Sequence, residues 1–387
     1  MTLHRKAAVT GIGETTYSKA SGMTDRQLQL QAVERAIADA GIDRREIDGI
    51  MPSAHGQGFT CEGFSEHLGL KQLTFSATVH FGGANGLTSM HTAAMAVASG
   101  AARHVVVVAG RNGSSGARIS GRPQLVQANF EATREFESPF GANVPMHFYG
   151  LMAQRYMHLH GATSEQFGMV AVTERAHAAL NDNALMRKPM TLEEHQASKF
   201  LIEPLHLFDC CIESDGAAAY IVSAADAARD TRSKPAWILG IAEGHPDSPT
   251  SVATRPDMLR TGVGIAAPRA FGIAGIDPGD LVGAMLYDPF TFLVLMQLEA
   301  LGYCKPGEAG PFVQSGGIAL AGGALPTNTH GGLLSQAHST AGINHICEAV
   351  RQVRGTAGKA QISRQGPVVV TGNGDFGDGA VAILSAD

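Results

Sequence analysis

Apolar positions along the chain follow two rhythms. Ala7-Ala8-Val9-Thr10 reads as a strand, and Gly11-Ile12-Gly13 as the turn that closes it. Between Asp25 and Ala40 the apolar residues Leu28, Leu30, Ala32, Val33, Ala36 and Ile37 recur at helical spacing, with Gly41 where a helix C-cap belongs. Ile47 to Met51 predicts a short strand. Met90 to Ala98 predicts an alanine-rich helix, followed by Ser99-Gly100 and the fully apolar strand Val105 to Ala109. A helix followed by a continuous apolar strand is the pattern of a parallel sheet buried on both faces. From Gly113 to about His206 the pattern changes. This stretch is richer in polar residues, Met and His, and contains Pro123, Pro139, Pro145 and Pro189. It reads as a mostly helical insertion with irregular loops. Sheet-like sequence returns at Ala217 to Val222.

The pattern also repeats. Residues 36–51, AIADAGIDRREIDGIM, and 270–285, AFGIAGIDPGDLVGAM, are offset by 274 − 40 = 234 and match at seven of sixteen positions. A second echo follows each copy: SMHTAAMAVASGAARHVVVVAG after the first, and HSTAGINHICEAVRQVRG with PVVVTGNG after the second. Each is a helix, a turn and an apolar strand. Two echoes in one order point to a duplicated α/β unit, and a site between the two halves.

Composition narrows the class. Charged residues are 17% and apolar residues 44% of 387, so the chain can bury a large core. The net charge of −6 argues against nucleic acid or an anionic membrane as the main partner. Glycine, 47 residues with no collagen period, belongs to tight turns and close backbone approaches. Five scattered cysteines make no disulfide framework and predict reduced thiols. The N-terminus has no apolar signal region and no stretch approaches the roughly 20 residues of a membrane span. The expectation is a soluble, cytoplasmic protein.

Most catalytic motifs are missing. Gly11-Ile12-Gly13 lacks the third glycine of a dinucleotide fingerprint, and GxxxxGK[ST], HExxH and GxSxG do not occur. His158 and His160 have no partners for a metal site, and Cys210-Cys211 are too close together for a CxxC zinc site, so that pair reads as buried structural thiols. Two glycine-rich segments stand out. His80-Phe81-Gly82-Gly83-Ala84-Asn85-Gly86 leads into a helix from Leu87, where free N–H groups and the dipole suit an oxyanion. Asn328-Thr329-His330-Gly331-Gly332 runs on to His338, which the repeat places at the start of the second copy's helix. Tyr287-Asp288-Pro289-Phe290 closes the second copy's strand, at the strand end where α/β sites gather.

These segments resemble the thiolase superfamily, in its sterol-carrier-protein (lipid-transfer-protein) branch. The resemblance covers nearly the whole chain. It rests on the Gly82–Gly86 turn, EPLHLFDCCIESDGAAAYIVS (203–223), YDPFTFLVLMQLEALGYC (287–304) and LPTNTHGGLLSQAH (325–338). It implies an α/β fold of two βαβαβαββ halves in a five-layered α/β/α/β/α sandwich with a loop domain. The halves would be 1–232, carrying the insertion at about 113–206, and 233–387. It implies a homodimer and an acyl-CoA substrate, with coenzyme A as part of that substrate and no tightly bound cofactor or metal.

The departures from the family carry the chemistry. Thiolases resemble one another in a nucleophilic Cys in a C-x-S-G turn, and alignment on Gly86 puts Gly83 there. Their second Cys lies in a C-x-G turn; here that region is Thr371-Gly372-Asn373-Gly374-Asp375, and no cysteine follows Cys347. His338 matches the family's G-H-P histidine as Ala337-His338-Ser339. Without a thiolate, ping-pong acyl transfer has no acceptor. A retro-aldol cleavage needs only a base for a β-hydroxyl proton and donors for the enolate oxygen. The chain resembles the bacterial steroid side-chain aldolases in the lost Cys, the Y-D-x-F segment and N-T-H-G-G. Those cleave a tertiary β-hydroxyacyl-CoA to a ketone and a short acyl-CoA, with a small OB-fold, zinc-ribbon partner that would make a heterotetramer; many carry Tyr where this chain has His338.

Tyr287 and His338 are therefore the candidates for base and acid. A free Tyr titrates near 10 and a free His near 6.5, so a Tyr base needs a cationic or orienting neighbour. Asp288 is expected to orient a neighbour or cap backbone. His330 is a candidate partner of the pair or a structural hydrogen bond. Gly83, Asn85 and Gly374 are the candidates for binding substrate or oxyanion. Two other readings remain: acyl transfer of the acetyl-CoA acetyltransferase type, using Cys61 or Cys304, and a non-catalytic acyl-CoA- or lipid-binding subunit.

Overall fold

The computed structural model describes residues 2–52, 60–116, 118, 131, 133–247, 252, 255–374 and 377–387. In chain order the first half has β1 (Ala7–Glu14), α1 (Asp25–Ala40), β2 (Gly49–Pro52), α2 (Cys61–Leu68), β3 (Phe75–Ser76), α3 (Asn85–Ser99) and β4 (His104–Asn112). After β4 come α4 (Pro145–His160), α5 (Ser164–Ala178), the single turn α6 (Leu192–Gln196) and a small hairpin of β5 (Phe200–Ile202) and β6 (Leu205–His206). Pro123 lies outside the described residues. The long strand β7 (Asp215–Ala224) then returns to the main sheet. The second half has β8 (Ala236–Gly244), α7 (Gly262–Ala274), β9 (Gly283–Met285), α8 (Thr291–Ala300), α9 (Ala309–Gln314), α10 (Ile343–Arg354), β10 (Val368–Gly374) and β11 (Asp378–Ser385).

The two halves mirror each other. Strand order is β3-β2-β4-β7-β1 in the first and β8-β11-β10-β9 in the second. A short antiparallel pairing of β1 with β8, Ala8 opposite Trp237 and Val9 opposite Ala236, joins them into one nine-stranded sheet. Helices α3 and α10 lie between the two sets of strands and share one apolar core with both, through Met90, Val97, Ile346 and Val350. Helix α1 covers the outer face of the first half through Leu28, Val33 and Ala36. Helices α7 and α8 cover the outer face of the second through Ala266, Phe271, Phe292 and Leu295. Five layers result, as the sequence led us to expect.

The sequence repeat is a folding unit. Helices α1 and α7 both end on a left-handed glycine, Gly41 at φ 69° and Gly275 at φ 71°. Each is followed by a one-turn 3-10 helix, whose N-cap Asp43 or Asp277 forms a reciprocal capping box with Glu46 or Asp280. A glycine-led strand then enters the sheet.

Three local expectations are corrected. Gly11 and Gly13 do not turn the chain: β1 runs through them, and a Cβ would lie 2.3 Å from Ala36 O at Gly11 and 2.2 Å from Ala32 O at Gly13. Helix α1 packs against β1 too closely for any side chain there. Helix α3 starts at Asn85, ahead of the expected Leu87 entry and Met90 pattern; its polar Asn85, Thr88 and Ser89 are buried and so hid the start from an apolar reading. His338 is not at the start of a helix. It lies in an extended segment five residues before α10, bridged to Glu213.

Candidate active site

The end of β9 is clasped before it reaches the site. Leu286 N–H donates to Asn328 Oδ1 (2.7 Å), and Asn328 Nδ2 donates back to Leu286 O (2.8 Å). Thr371 Oγ1 accepts the Tyr287 N–H at 3.0 Å and donates to Gln297 Oε1 at 2.6 Å, while Gln297 Nε2 holds Tyr287 O at 2.8 Å. Tyr287 is thus fixed at both ends of its peptide, and its side chain is 5% exposed.

The Tyr287 ring points at the glycine turn of the other half. A Cβ on Gly83 would lie 2.3 Å from Tyr287 Cζ and 2.4 Å from its hydroxyl oxygen. The phenol therefore fills the space that any side chain at residue 83 would need. Gly342 closes on the same ring, with a Cβ there only 3.2 Å from Tyr287 Cδ2. Gly374 lies on the far side of the turn: its Cβ would stand 2.7 Å from Gly83 N and 2.0 Å from Phe81 O.

Tyr287 meets His338. The hydroxyl and His338 Nε2 are 3.3 Å apart, with the rings edge to face. The other ring nitrogen, Nδ1, is 3.0 Å from Cys211 Sγ. His338 N–H donates to Ser214 Oγ at 3.0 Å, and Cys211 N–H to Pro289 O at 2.9 Å. A chain of three side chains, Tyr287, His338 and Cys211, therefore crosses the interface of strand end, turn and insertion. Burial, then the neighbouring Cys211 and Tyr149, push the Tyr287 phenol well above its ordinary value; Arg111 at the end of β4 acts in the opposite sense. The Tyr287 hydroxyl is protonated at neutral pH. Burial and Asp288 push the Cys211 thiol up to about 12, so it too is neutral. Burial lowers Arg111 from its usual value, with Glu213, Tyr287 and Cys211 favouring its charge.

The other candidate residues lie apart from this chain. Asp288 is completely buried and accepts from Leu333 N (2.9 Å), Leu334 N (3.1 Å) and His345 Nε2 (2.8 Å). It caps the turn Gly332–Gln336 that leads to His338. Glu174 faces the same turn, and burial followed by the charge of Asp288 raises its carboxyl well above the usual range. His330 stands edge-on to His345, with ring centroids 4.7 Å apart, and does not reach Tyr287 or His338. Burial holds it well below its ordinary value, hence neutral. Asn85 Oδ1 accepts the Phe81 N–H at 2.5 Å and thereby ties its own glycine turn together. The N-T-H-G-G segment is mainly scaffold: Asn328 clasps β9, Thr329 Oγ1 donates to Glu348 Oε1 at 2.6 Å, and Gly331 and Gly332 supply left-handed turns at φ 99° and 60°. Of the thiols considered for acyl transfer, Cys61 packs against the outer core of the first half and Cys304 in the outer core of the second. Burial raises Cys304 to about 11.

Sequence reasoning missed Arg111 and Cys211. The signal for Cys211 was its place in the 203–223 segment. Its partnership with a histidine 127 residues away had no local trace. A cavity of about 570 Å³ is lined by Arg175, Lys188, Glu194 and Phe208 among others; Gly83, Tyr287, Cys211 and His338 do not line it. Arg175 Nε donates to Ser335 Oγ at 2.9 Å, three residues from His338, and its guanidinium lies over the Phe208 ring. Among the described residues no group of three or more His, Cys, Asp or Glu is placed to hold a metal ion, and no helix is long and apolar enough to cross a membrane.

Over 364 residues the chain is 43% identical to a steroid side-chain-cleaving aldolase of Thermomonospora curvata, covering 91% of each. The chain belongs to the thiolase superfamily. The family model of the thiolase C-terminal domain matches residues 244–386. A 17-hydroxy-3-oxo-4-pregnene-20-carboxyl-CoA lyase of Mycobacterium tuberculosis is 40% identical, over 96% of this chain and 97% of that one. The solved structure described as an Ltp2-ChsH2(DUF35) aldolase superposes with a TM-score of 0.92 at 40% identity, covering 100% and 99% of the two chains. Sterol carrier protein 2 of Gallus gallus is a more distant relative, at 26% identity over 68% of its length.

Proposed function

We propose that the protein is a CoA-thioester aldolase, cleaving a β-hydroxyacyl-CoA with a tertiary hydroxyl, of steroid side-chain type, to a ketone and a short acyl-CoA. The observation that carries this reading is the phenol of Tyr287 in the space beside Gly83. A thiol nucleophile has neither a side chain nor room there, whereas a proton-transfer group does. The names of the two relatives above 40% or at it, an aldolase and a carboxyl-CoA lyase, support the same chemistry.

The proton path follows the hydrogen bonds. The substrate β-hydroxyl gives its proton to the Tyr287 oxygen as the phenol passes its own to His338 Nε2. On this path the phenol relays the proton and the imidazole stores it. The electrons of the O–H bond become the ketone C=O. The Cα–Cβ pair moves into an enolate on the thioester. Protonation at Cα, back through Tyr287 or from water, releases the short acyl-CoA. No oxidant and no free CoA enter. The Gly83 N–H, just ahead of α3 and beside Gly374, is the proposed donor to the developing enolate oxygen. Asp288, His330 and Asn85 act as scaffold. Arg175 and Lys188, the basic side chains of the cavity, are the proposed contacts of the CoA phosphates.

A DUF35 protein, of OB-fold and zinc-ribbon type, is the proposed partner of a homodimer of this chain. Its role is to complete the acyl pocket. The test is a product assay with a tertiary β-hydroxyacyl-CoA of steroid type, with and without the partner and with and without free CoA. Ketone plus short acyl-CoA, independent of free CoA, is the expected result. Cleavage of acetoacetyl-CoA only when free CoA is present would replace this reading by acyl transfer.

A further inference from the structure

The imidazole at the centre of the proton path has a partner that the reaction itself does not require. His338 presents Nε2 to Tyr287 and Nδ1 to Cys211 Sγ, 3.0 Å away. Which nitrogen carries the proton decides what the ring can do. If Nδ1 carries it, Nε2 has a free lone pair facing the phenol and can accept. If Nε2 carries it, the ring cannot take a proton from Tyr287 until it has lost one.

We infer that Cys211 is a positioning residue that holds His338 in the Nδ1–H form, with the thiol sulfur accepting that hydrogen. The inference rests on the aldolase reading for its catalytic meaning, but the contact itself does not. Three features favour it. First, the ring has the Tyr287 hydroxyl 3.3 Å from Nε2 and the Cys211 sulfur 3.0 Å from Nδ1; the phenol O–H is a far stronger donor than a thiol S–H, so the better bond has Nε2 accepting from Tyr287 and Nδ1–H facing sulfur. Second, both partners are held by their backbones: Cys211 N–H is anchored on Pro289 O, directly after Asp288, and His338 N–H on Ser214 Oγ, three residues after Cys211. The loop from the insertion and the loop after the turn are thereby locked in register around this one contact. Third, burial keeps the thiol protonated, so it orients the ring without placing a second negative charge beside a developing enolate.

A carboxylate in that place would orient the ring too, but its charge would oppose the enolate across the site. A sulfur acceptor orients at low electrostatic cost. A cysteine next to a histidine is also the layout of a nucleophile–base pair. The high pKa of this thiol argues against that use, and the experiment separates the two.

The experiment uses full-length protein, with its partner where activity is measured, and three forms: wild type, Cys211→Ala and Cys211→Ser. The first readout is the ring ¹⁵N shifts of histidine-labelled protein, with the His338 signals assigned by their loss in His338→Gln. Wild type is expected to show a pyrrole-like Nδ1 and a pyridine-like Nε2. Cys211→Ala loses that asymmetry and Cys211→Ser largely restores it. The second readout is the pH profile of turnover. Cys211→Ala lowers kcat by about 10-fold or more and moves the acid limb, with KM within about threefold. Cys211→Ser recovers most of kcat.

A wild-type ring in the Nε2–H form, or ¹⁵N shifts that Cys211→Ala leaves unchanged, would overturn the inference. So would an acyl group found on Cys211 during turnover. Intact tautomer asymmetry that depends on Cys211, in a protein with no aldolase activity, would uphold the contact and overturn the proposed reaction instead.

Discussion

The two halves of the molecule share a fold unit and bring opposite things to the site. Where α3 begins, the first half offers Gly82, Gly83 and Gly86: backbone, N–H groups and empty space. The second half offers side chains, Tyr287 after β9 and His338 before α10, on a scaffold of Asp288, Asn328 and Thr371. A duplicated architecture has thus become asymmetric. In a thiolase-type site the first half would carry the reactive sulfur. Here the phenol of the second half reaches across and fills that position. The lesson is that losing a side chain on one half has not left a hole; it has made room for a group from the other.

The sharpest way to break this contrast is to remove the side chains of the second half. Tyr287→Phe keeps the ring packing and loses the hydroxyl, and turnover of the β-hydroxyacyl-CoA is expected to fall by about 10² or more. His338→Ala should fall by a similar factor. The double variant should be little worse than either, because both act on one proton. Steady-state rates of product formation check all three. Near-full activity in either single variant would remove that residue from the path.

The next test puts a side chain back on the first half. Gly83→Ala places a methyl 2.3 Å from Tyr287 Cζ, and the phenol must move. Stability should drop by about 1–3 kcal/mol and turnover should fall with it, read by thermal unfolding and rates. Gly83→Cys should not gain CoA-dependent thiolase activity, because the same ring blocks its sulfur.

Acid pH probes the anchoring of β7 within the first half. Asp215 is completely buried. Burial opposes its charge, but the Ser115 hydroxyl and the N–H groups of Ser21, Ser114 and Ser115 hold its carboxyl down at about 2. Because the folded pKa lies below the unfolded value near 3.9, the contribution is fully present above pH 4. It is lost as the pH falls toward 2. About 2 kcal/mol of stability should disappear over that window, measured as a difference in unfolding free energy between wild type and Asp215→Asn. The smallest effect is expected at the cavity mouth. Lys188→Ala should raise KM for the CoA thioester by about two- to fivefold with kcat unchanged.

Much of this was legible in the chain. The repeat predicted the duplicated unit, because helix stop, capped turn and glycine-led strand each need particular residues at fixed spacing. The Gly82–Gly86 turn and Tyr287–Phe290 were visible as breaks in the apolar pattern. What stayed hidden depended on contacts between distant segments. Gly11 and Gly13 look like a turn until α1 is seen pressing on β1. The amide oxygen of Asn85 takes the Phe81 N–H, a contact that no local pattern announces. Cys211 reads as an inert core thiol because nothing nearby in sequence reveals His338. Arg111 ends an apolar strand with no motif around it, and its charge gains meaning only once Tyr287 is placed across the site.

The central claim is that the carbon–carbon bond breaks without an acyl-enzyme, by proton transfer through Tyr287 and His338. The most direct measurement is intact-protein mass under turnover in D₂O, together with the isotopic composition of the released acyl-CoA. The account predicts an unchanged protein mass and one solvent deuterium at Cα of the product. A protein heavier by the acyl group, bound as a base-labile thioester, would contradict it.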